Sequence, residues 1–274
     1  MMAKGNIPLE HSNIDRNFDD LSARFVERIY GGHKGNIRLK ILVRDMSEMG
    51  LFTKHLPRTV LDAGGGFAWF SQQFALRGSH ATVVDISQNM LDIGIEQWEK
   101  KLHSSKEPVD PRTVGQITWK NIPLQEETGC YDMVLCHAVM EWLEKPFEML
   151  DHISTCVHSG GWLSLLFFNH QALIWKNVLY GTVDKVLDNA LQGHGTTFTP
   201  LHAFHIPEVE AYVEKLGFEI CLVSGVRVFH DYMGKDVVEQ VDFDKLLELE
   251  MQYSRVPTYC NMARYIHFLC RKRS

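Results

Sequence analysis

Two aspartates and a run of glycines are the first residues here whose types and spacing could do chemistry. Asp62 ends the run Thr59-Val60-Leu61-Asp62, Gly64-Gly65-Gly66 follow after Ala63, and Asp85 ends a second apolar run, Ala81-Thr82-Val83-Val84-Asp85. Glycine is needed where the backbone takes positive φ or comes against a ligand, and it is costly elsewhere. A buried carboxylate beside such a turn repels phosphate and suits a ligand carrying an amino group; no basic residue occurs between Thr59 and Gln73 to offset it. A second carboxylate at the next strand end is placed to accept two ribose hydroxyls. A dinucleotide fingerprint needs G-x-G-x-x-G with pyrophosphate on the helix N-terminus, and here Trp69 stands where the third glycine would fall.

Further along, the apolar strand Met133-Val134-Leu135-Cys136 ends in His137, with Glu141 and Trp142 opening the next helix. Ligands of α/β sheets sit outside the carboxyl ends of central strands, which puts His137 near a reaction centre unless it is a satisfied structural histidine. The last third carries Gly225-Val226-Arg227-Val228-Phe229-His230-Asp231-Tyr232 and Arg264-Tyr265-Ile266-His267. Arginine offers a fork for a carboxylate and an aromatic ring a stacking face for a base, so an anionic aromatic acceptor suits Arg227, His230, Tyr232 and Arg264. The competing reading is that these residues tie the last strands to the sheet.

The elements that must position these groups are legible in outline. Asp15-Arg16-Asn17-Phe18-Asp19-Asp20 opens a helix with Phe18, Leu21, Phe25 and Ile29 on one face, and Lys34–Met49 is a second amphipathic helix. Its basic residues Lys34, Arg38, Lys40 and Arg44 form either a solvated face or, through Arg38, a contact to a ligand carboxylate. Strand, glycine turn and helix (59–77) are followed by the strand to Asp85 and a helix N-capped by Ser87. A third strand covers Gln116–Trp119, the His137 strand is the fourth, and Pro146 starts the helix Phe147–Val157. Ser159-Gly160-Gly161 then turns into the strand Trp162–Phe168. Repeated β-α units predict a parallel sheet with helices on both faces. Beyond it, Gln171–Leu191 reads as one added helix and Gly193–Thr197 as a loop. The helix Glu208–Leu216, the strand Phe218–Phe229, the helix Lys235–Tyr253 and a last strand Ala263–Cys270 complete the chain.

At 274 residues, with 45% hydrophobic and 23% charged residues, the composition is that of an ordinary globular protein. The net charge of −6 gives no global field for a polyanion, so such a partner would need a local basic patch. No apolar run reaches the roughly 20 residues that span a bilayer, and residues 1–14 are expected to be a flexible leader before a single domain spanning 15–274. Six scattered cysteines without a C-x-x-C pair argue against a metal site or a disulfide framework, and for a reducing, cytoplasmic compartment.

Acid, glycine turn, then acid at the next strand end resembles the S-adenosylmethionine site of class I methyltransferases. The blocks Asp15–Asp20, Ile29-Tyr30-Gly31, Leu61–Gly66, His137-Ala138-Val139-x-Glu141-Trp142, Gly225–Tyr232, Leu246–Glu250 and Arg264–His267 together resemble the bacterial tRNA 5-carboxymethoxyuridine methyltransferases. The resemblance runs from about residue 15 to 268. It implies an α/β fold: a Rossmann-like seven-stranded class I methyltransferase sheet with N-terminal helices and a helical insertion (171–205) after strand 5. It also implies S-adenosyl-L-methionine as cofactor and esterification of a wobble-position carboxymethoxyuridine carboxylate in a tRNA anticodon loop, with no metal.

By the same resemblance, Arg38, Asp62, Gly64, Gly65, Asp85, Asn121, Ile122 and His137 hold the cofactor. Arg227 or Arg264 orients the acceptor carboxylate, with His137, His230 and Tyr232 beside it, and Lys34, Arg44 and Arg271–Arg273 reach tRNA phosphates. One departure stands out: family members continue the glycines with an acid and a fourth glycine, where this chain has Phe67 and Ala68. Three other readings remain at this point: a methyltransferase of a small carboxylic acid or phenol, a non-catalytic cofactor binder, and a dinucleotide oxidoreductase.

Overall fold

The computed structural model describes residues 15, 19, 32–103, 110, 112–191 and 200–274. The expected leader, the helix opening at Asp15 and the loop 193–197 lie outside the described residues, apart from Asp15 and Asp19 themselves. Helix α1 (Gly32–Glu48) buries Ile37, Arg38, Ile41, Leu42, Asp45 and Met46, one stripe at helical spacing. There follow β1 (Thr59–Ala63), α2 (Trp69–Ala75), β2 (His80–Val84), α3 (Gln88–Leu102), β3 (Ile117–Lys120), β4 (Tyr131–His137), α4 (Pro146–Thr155) and β5 (Val157–Phe168). Then come α5 (His170–Leu179), α6 (Val183–Leu187), α7 (Ile206–Lys215), β6 (Phe218–Val226), α8 (Lys235–Gln240), α9 (Phe243–Tyr253), α10 (Pro257–Cys260) and β7 (Tyr265–Lys272).

The seven strands form one sheet in the order β3-β2-β1-β4-β5-β7-β6. β1 to β5 pair in parallel, whereas β7 runs antiparallel to both β5 and β6. The carboxyl ends of β1, β2, β4 and β5 therefore share one edge of the sheet with the amino end of β7, where Phe168 faces Tyr265. Strand order reverses between β1 and β4, the switch point at which such sheets open a ligand crevice.

Each face of the sheet has its own core. On one, α1 packs Ile37, Ile41, Leu42 and Met46 against Met133, Leu135, Leu166 and Phe168. On the other, α4 and α7 place Leu150, Ile153, Val209 and Val213 against Leu163, Leu165, Phe167 and Phe268. Alternate residues of β5 serve opposite faces, so its continuous apolar run reads as a strand covered on both sides. Each such side chain contributes about 2 kcal/mol by leaving water.

Several elements differ from the sequence reading. β5 begins at Val157 rather than Trp162, because a bulge opposite Tyr131–Met133 absorbs Ser159-Gly160-Gly161, with Gly160 at φ 73°. Glu141 and Trp142 lie in a short 3-10 turn, and the next helix waits for Pro146. The segment 171–191 holds two helices, parted at Gly181 (φ 72°). Residues 235–253 likewise split, because Asp242 N-caps α9 by accepting from the amides of Asp244 and Lys245. β6 stops at Val226, since Arg227 adopts φ 65°.

Candidate active site

At the switch point, β1 runs into Gly64 (φ 66°), Gly65 and Gly66 (φ 56°). The turn is clipped to the next strand, with the Gly64 amide donating to the Val84 carbonyl at 2.8 Å. A side chain at any of the three glycines would collide. A Cβ on Gly64 would sit 2.7 Å from Val139, one on Gly65 2.5 Å from Asp62, and one on Gly66 2.8 Å from Met90. Beyond the turn, Ala68 takes the left-handed conformation (φ 59°) as the residue before α2. Its methyl packs with Val83 and Leu91, so the alanine does not narrow the turn on its ligand side. The strain costs about 1 kcal/mol relative to glycine.

A cleft opens over this turn, the place at which such sheets take a ligand. Its floor is Gly64, Gly65 and Gly66; Phe67, Ile86, Met90, Ile122 and Leu124 make an apolar wall; Arg38, Asp85 and His137 supply polar groups. The Asp85 carboxylate is aimed by two amides, Gly66 N–H on Oδ2 and Ser87 N–H on Oδ1, each at 2.8 Å. Burial raises its pKa, against those two hydrogen bonds. Two further lone pairs remain for ligand hydroxyls.

Not every residue expected at the cofactor lines the cleft. Asp62 lies beneath the turn, accepting from Ser71 Oγ at 2.8 Å. Burial pushes its pKa up to about 6, with the Ser71 hydrogen bond opposing. Asn121 is also outside the wall: its amide donates to the Asp85 carbonyl at 3.0 Å, so it braces that residue while Ile122 faces the cleft. Both residues support the site from behind.

The expected acceptor residues form a second cluster at the β5–β7–β6 end. Tyr265 is its centre, with the guanidiniums of Arg38 and Arg227 at 4.8 and 5.1 Å from its ring. Arg264 lies 4.3 Å over Phe168. Arg227 Nε stands 3.0 Å from Asp231 Oδ2, an ion pair at an angle unsuited to a hydrogen bond. Arg264 Nη1 is buried without a hydrogen-bond partner among the described residues. Both carboxylate oxygens of Glu141 are likewise buried and unpaired, and burial pushes this acid up to about 8 against the charges of Arg38 and Arg264.

The other two predicted residues are structural in position. The Tyr232 hydroxyl donates to the Met262 carbonyl. His230 is buried, with its pKa pushed down to about 4 by that burial. Its amide, with those of Val228 and Phe229, converges on the buried Glu250 carboxylate at 2.7–3.0 Å. Glu250 is thus what shapes the turn that presents Arg227.

Of the cations expected on tRNA phosphates, Arg44 is internal: it bonds Met251 O, Ser254 Oγ, Ser224 Oγ and Asp45. Arg271 stacks on Trp162, at the opposite end of β7 from Tyr265 and roughly 20 Å from the cleft edge.

Residues the sequence reading did not single out include Leu124 and Gln125, both of which line the cleft. Among the described residues no group of acids, histidines or cysteines is arranged to hold a metal, and no helix is long and apolar enough to cross a membrane.

The sheet order and a cleft over a glycine turn between two acids define a methyltransferase, and a family model described as a methyltransferase domain matches residues 33–223. The chain belongs to the tRNA 5-carboxymethoxyuridine methyltransferase family: that enzyme of Escherichia coli (strain K12) is 33% identical over 258 residues, covering 94% of this chain and 97% of its own. The ubiquinone biosynthesis O-methyltransferase of Chromobacterium violaceum is 30% identical over a shorter stretch, 45% of this chain and 50% of its own. Among solved structures, magnesium protoporphyrin IX methyltransferase from Synechocystis PCC 6803 with bound SAH shares the fold, with TM-score 0.59, 16% identity, and 93% and 95% of the two chains covered.

Proposed function

We propose that this protein methylates the carboxylate of 5-carboxymethoxyuridine at the tRNA wobble position, using S-adenosylmethionine, in the cytoplasm. The cleft fits that cofactor. Asp85, pre-aimed by backbone amides, suits the ribose hydroxyls, and Ile86, Met90, Ile122 and Leu124 suit a purine. Side chains at Gly64 and Gly66 would run into the cleft-lining Val139 and Met90, while Arg38 and His137, also on the cleft, suit the methionine end. When bound, the cofactor supplies an electrophilic methyl group on a sulfonium.

The single observation that carries the acceptor assignment is Arg264, whose buried Nη1 has no hydrogen-bond partner among the described residues and whose guanidinium carbon lies 4.3 Å from the Phe168 ring centre. A buried guanidinium nitrogen left unpaired suits an incoming carboxylate. Arg227, already opposite Asp231, is the lesser candidate. The acceptor carboxylate is ionised at neutral pH, so the protein need not remove a proton; its task is alignment. Glu141, held protonated by burial, does not neutralise the positive charge of Arg264 beside it.

The test is incubation with S-adenosylmethionine and tRNA that carries or lacks 5-carboxymethoxyuridine, followed by nucleoside mass spectrometry. The methyl ester should form only on the first. Turnover of small carboxylic acids with none on either tRNA would replace this reading by a metabolite methyltransferase.

A further inference from the structure

His137 does not stand alone on the sheet. Its Nε2 lies 2.7 Å from Ser164 Oγ, Ser164 Oγ lies 2.8 Å from His267 Nε2, and His267 Nδ1 lies 2.8 Å from Asp45 Oδ2. The sheet register makes this chain of contacts possible. His137, Leu166 and His267 sit opposite one another on β4, β5 and β7, so their side chains share a face. Ser164, two residues before Leu166, is on that face as well. α1 covers it and brings Asp45 down onto His267. Asp45, Ser164 and His267 are all fully buried.

The polarity of the row follows from its far end. Burial raises the Asp45 pKa, but the hydrogen bonds from His267 and Arg255 and the charge of Arg44 outweigh it, and the carboxyl is held well below its usual range. An ionised carboxylate only accepts, so His267 carries its proton on Nδ1. Asp45 Oδ1 already meets Arg44 Nη2 at 2.9 Å and Arg255 Nη2 at 2.6 Å. A third cation in the same buried site would be uncompensated and costly, which makes His267 neutral and its Nε2 an acceptor. The one hydroxyl hydrogen of Ser164 must then go to His267. Ser164 Oγ is left to accept from His137 Nε2–H, and the His137 Nδ1 becomes a bare lone pair. Burial above all, with the charge of Arg38 facing it, keeps the His137 pKa well below its ordinary value, so that nitrogen stays unprotonated.

The geometry points to Asp45, His267 and Ser164 as positioning residues that fix one tautomer of His137, so that its Nδ1 is a hydrogen-bond acceptor for the ammonium of an amino-acid-bearing cofactor. Nδ1 has no hydrogen-bond partner among the described residues, and the imidazole lines the cleft. The inference rests on the cofactor reading above for the identity of the donor, but the tautomer itself is a property of the free protein.

Two-bond nitrogen–proton NMR spectra of the ligand-free, ¹⁵N-histidine-labelled protein read the tautomer directly. The His137 signals should report Nε2–H in the parent. Ser164→Ala removes the directing hydroxyl and should convert His137 to a tautomer mixture, weakening S-adenosylmethionine about tenfold by calorimetry. Ser164→Thr, which restores the hydroxyl on a residue suited to a strand, should recover both. A parent His137 protonated at Nδ1 would overturn the inference. So would a folded Ser164→Ala protein, by its melting curve, with unchanged tautomer and affinity. If the parent shows Nε2–H yet binds no S-adenosylmethionine, the cofactor reading fails while the relay stands.

Discussion

On the β1–β2 side of the switch point the ligand surface is mostly backbone. Three glycines make the floor, two amides aim Asp85, and the wall is apolar. On the β5–β7 side the proposed acceptor surface is made of long side chains: Arg38, Arg227 and Arg264 against Tyr265 and Phe168, with Glu141 and Asp231 among them. The first surface is fixed once the strand and turn are fixed. The second depends on charges held in place by packing, so it can be retuned by single substitutions without disturbing the cradle. A reaction that uses one donor and many possible acceptors is served by that division.

The comparison breaks first at Asp85. Asp85→Ala removes the acceptor for two amides and for the ligand hydroxyls, and should weaken S-adenosylmethionine about 100-fold by calorimetry; unchanged affinity would mean the cradle is misassigned. Next, Arg264→Lys keeps the charge but loses the fork, and kcat/KM for tRNA should fall about tenfold or more with cofactor affinity unchanged. Arg227→Lys should do less to turnover, because that guanidinium is already set against Asp231. Equal losses in both would erase the distinction between them.

A smaller effect separates the two sides by pH. Glu141 binds its proton more tightly when folded, at about 8 against a model-peptide value of 4.5, so its stabilising contribution is complete below 4.5 and is lost as pH rises through 8. Glu141→Gln should change melting little at about pH 5 and stabilise the protein by about 4 kcal/mol at about pH 9. Asp62, at about 6 against 3.8, carries the same sign over a narrower and more acidic window. The smallest change is Ala68→Gly, which relieves a left-handed φ but gives up the contact with Val83 and Leu91. Its net effect on denaturant stability should stay under about 1 kcal/mol.

How far the sequence could be read follows this same line. The strand–acid–glycine run, the acid after β2 and the Ser87 cap are local signals, and each falls where its neighbours alone place it. The helix breaks at Gly181 and Asp242 were also local, but long apolar periodicity masked them. Strand order and the reversal of β7 are non-local: the repeated β-α units predicted a parallel sheet, and only the family resemblance implied its seven-stranded form. Asp45, Ser164 and His267 show the limit most plainly. Ser164 and His267 are polar residues inside apolar runs, and Asp45 falls on the buried stripe of α1; each placement signals that a partner must exist. The partner of Asp45 lies 222 residues away and that of Ser164 lies 103 away, so spacing could not name it. Arg264 could be proposed for an acceptor, but its missing partner could be seen only in three dimensions.

The reversed strand has a consequence for how the protein comes into being. β7 is translated after β6 yet lies between β5 and β6. Until it emerges from the ribosome, those two strands each offer an unpaired edge, the kind of surface that invites pairing with other chains. Tyr265 and His267 arrive in that same stretch, so a nascent chain that has already formed its glycine turn still lacks the β7 groups on which the proposed acceptor cluster and the proposed His137 relay depend. Completion of the sheet and completion of that edge are therefore one event.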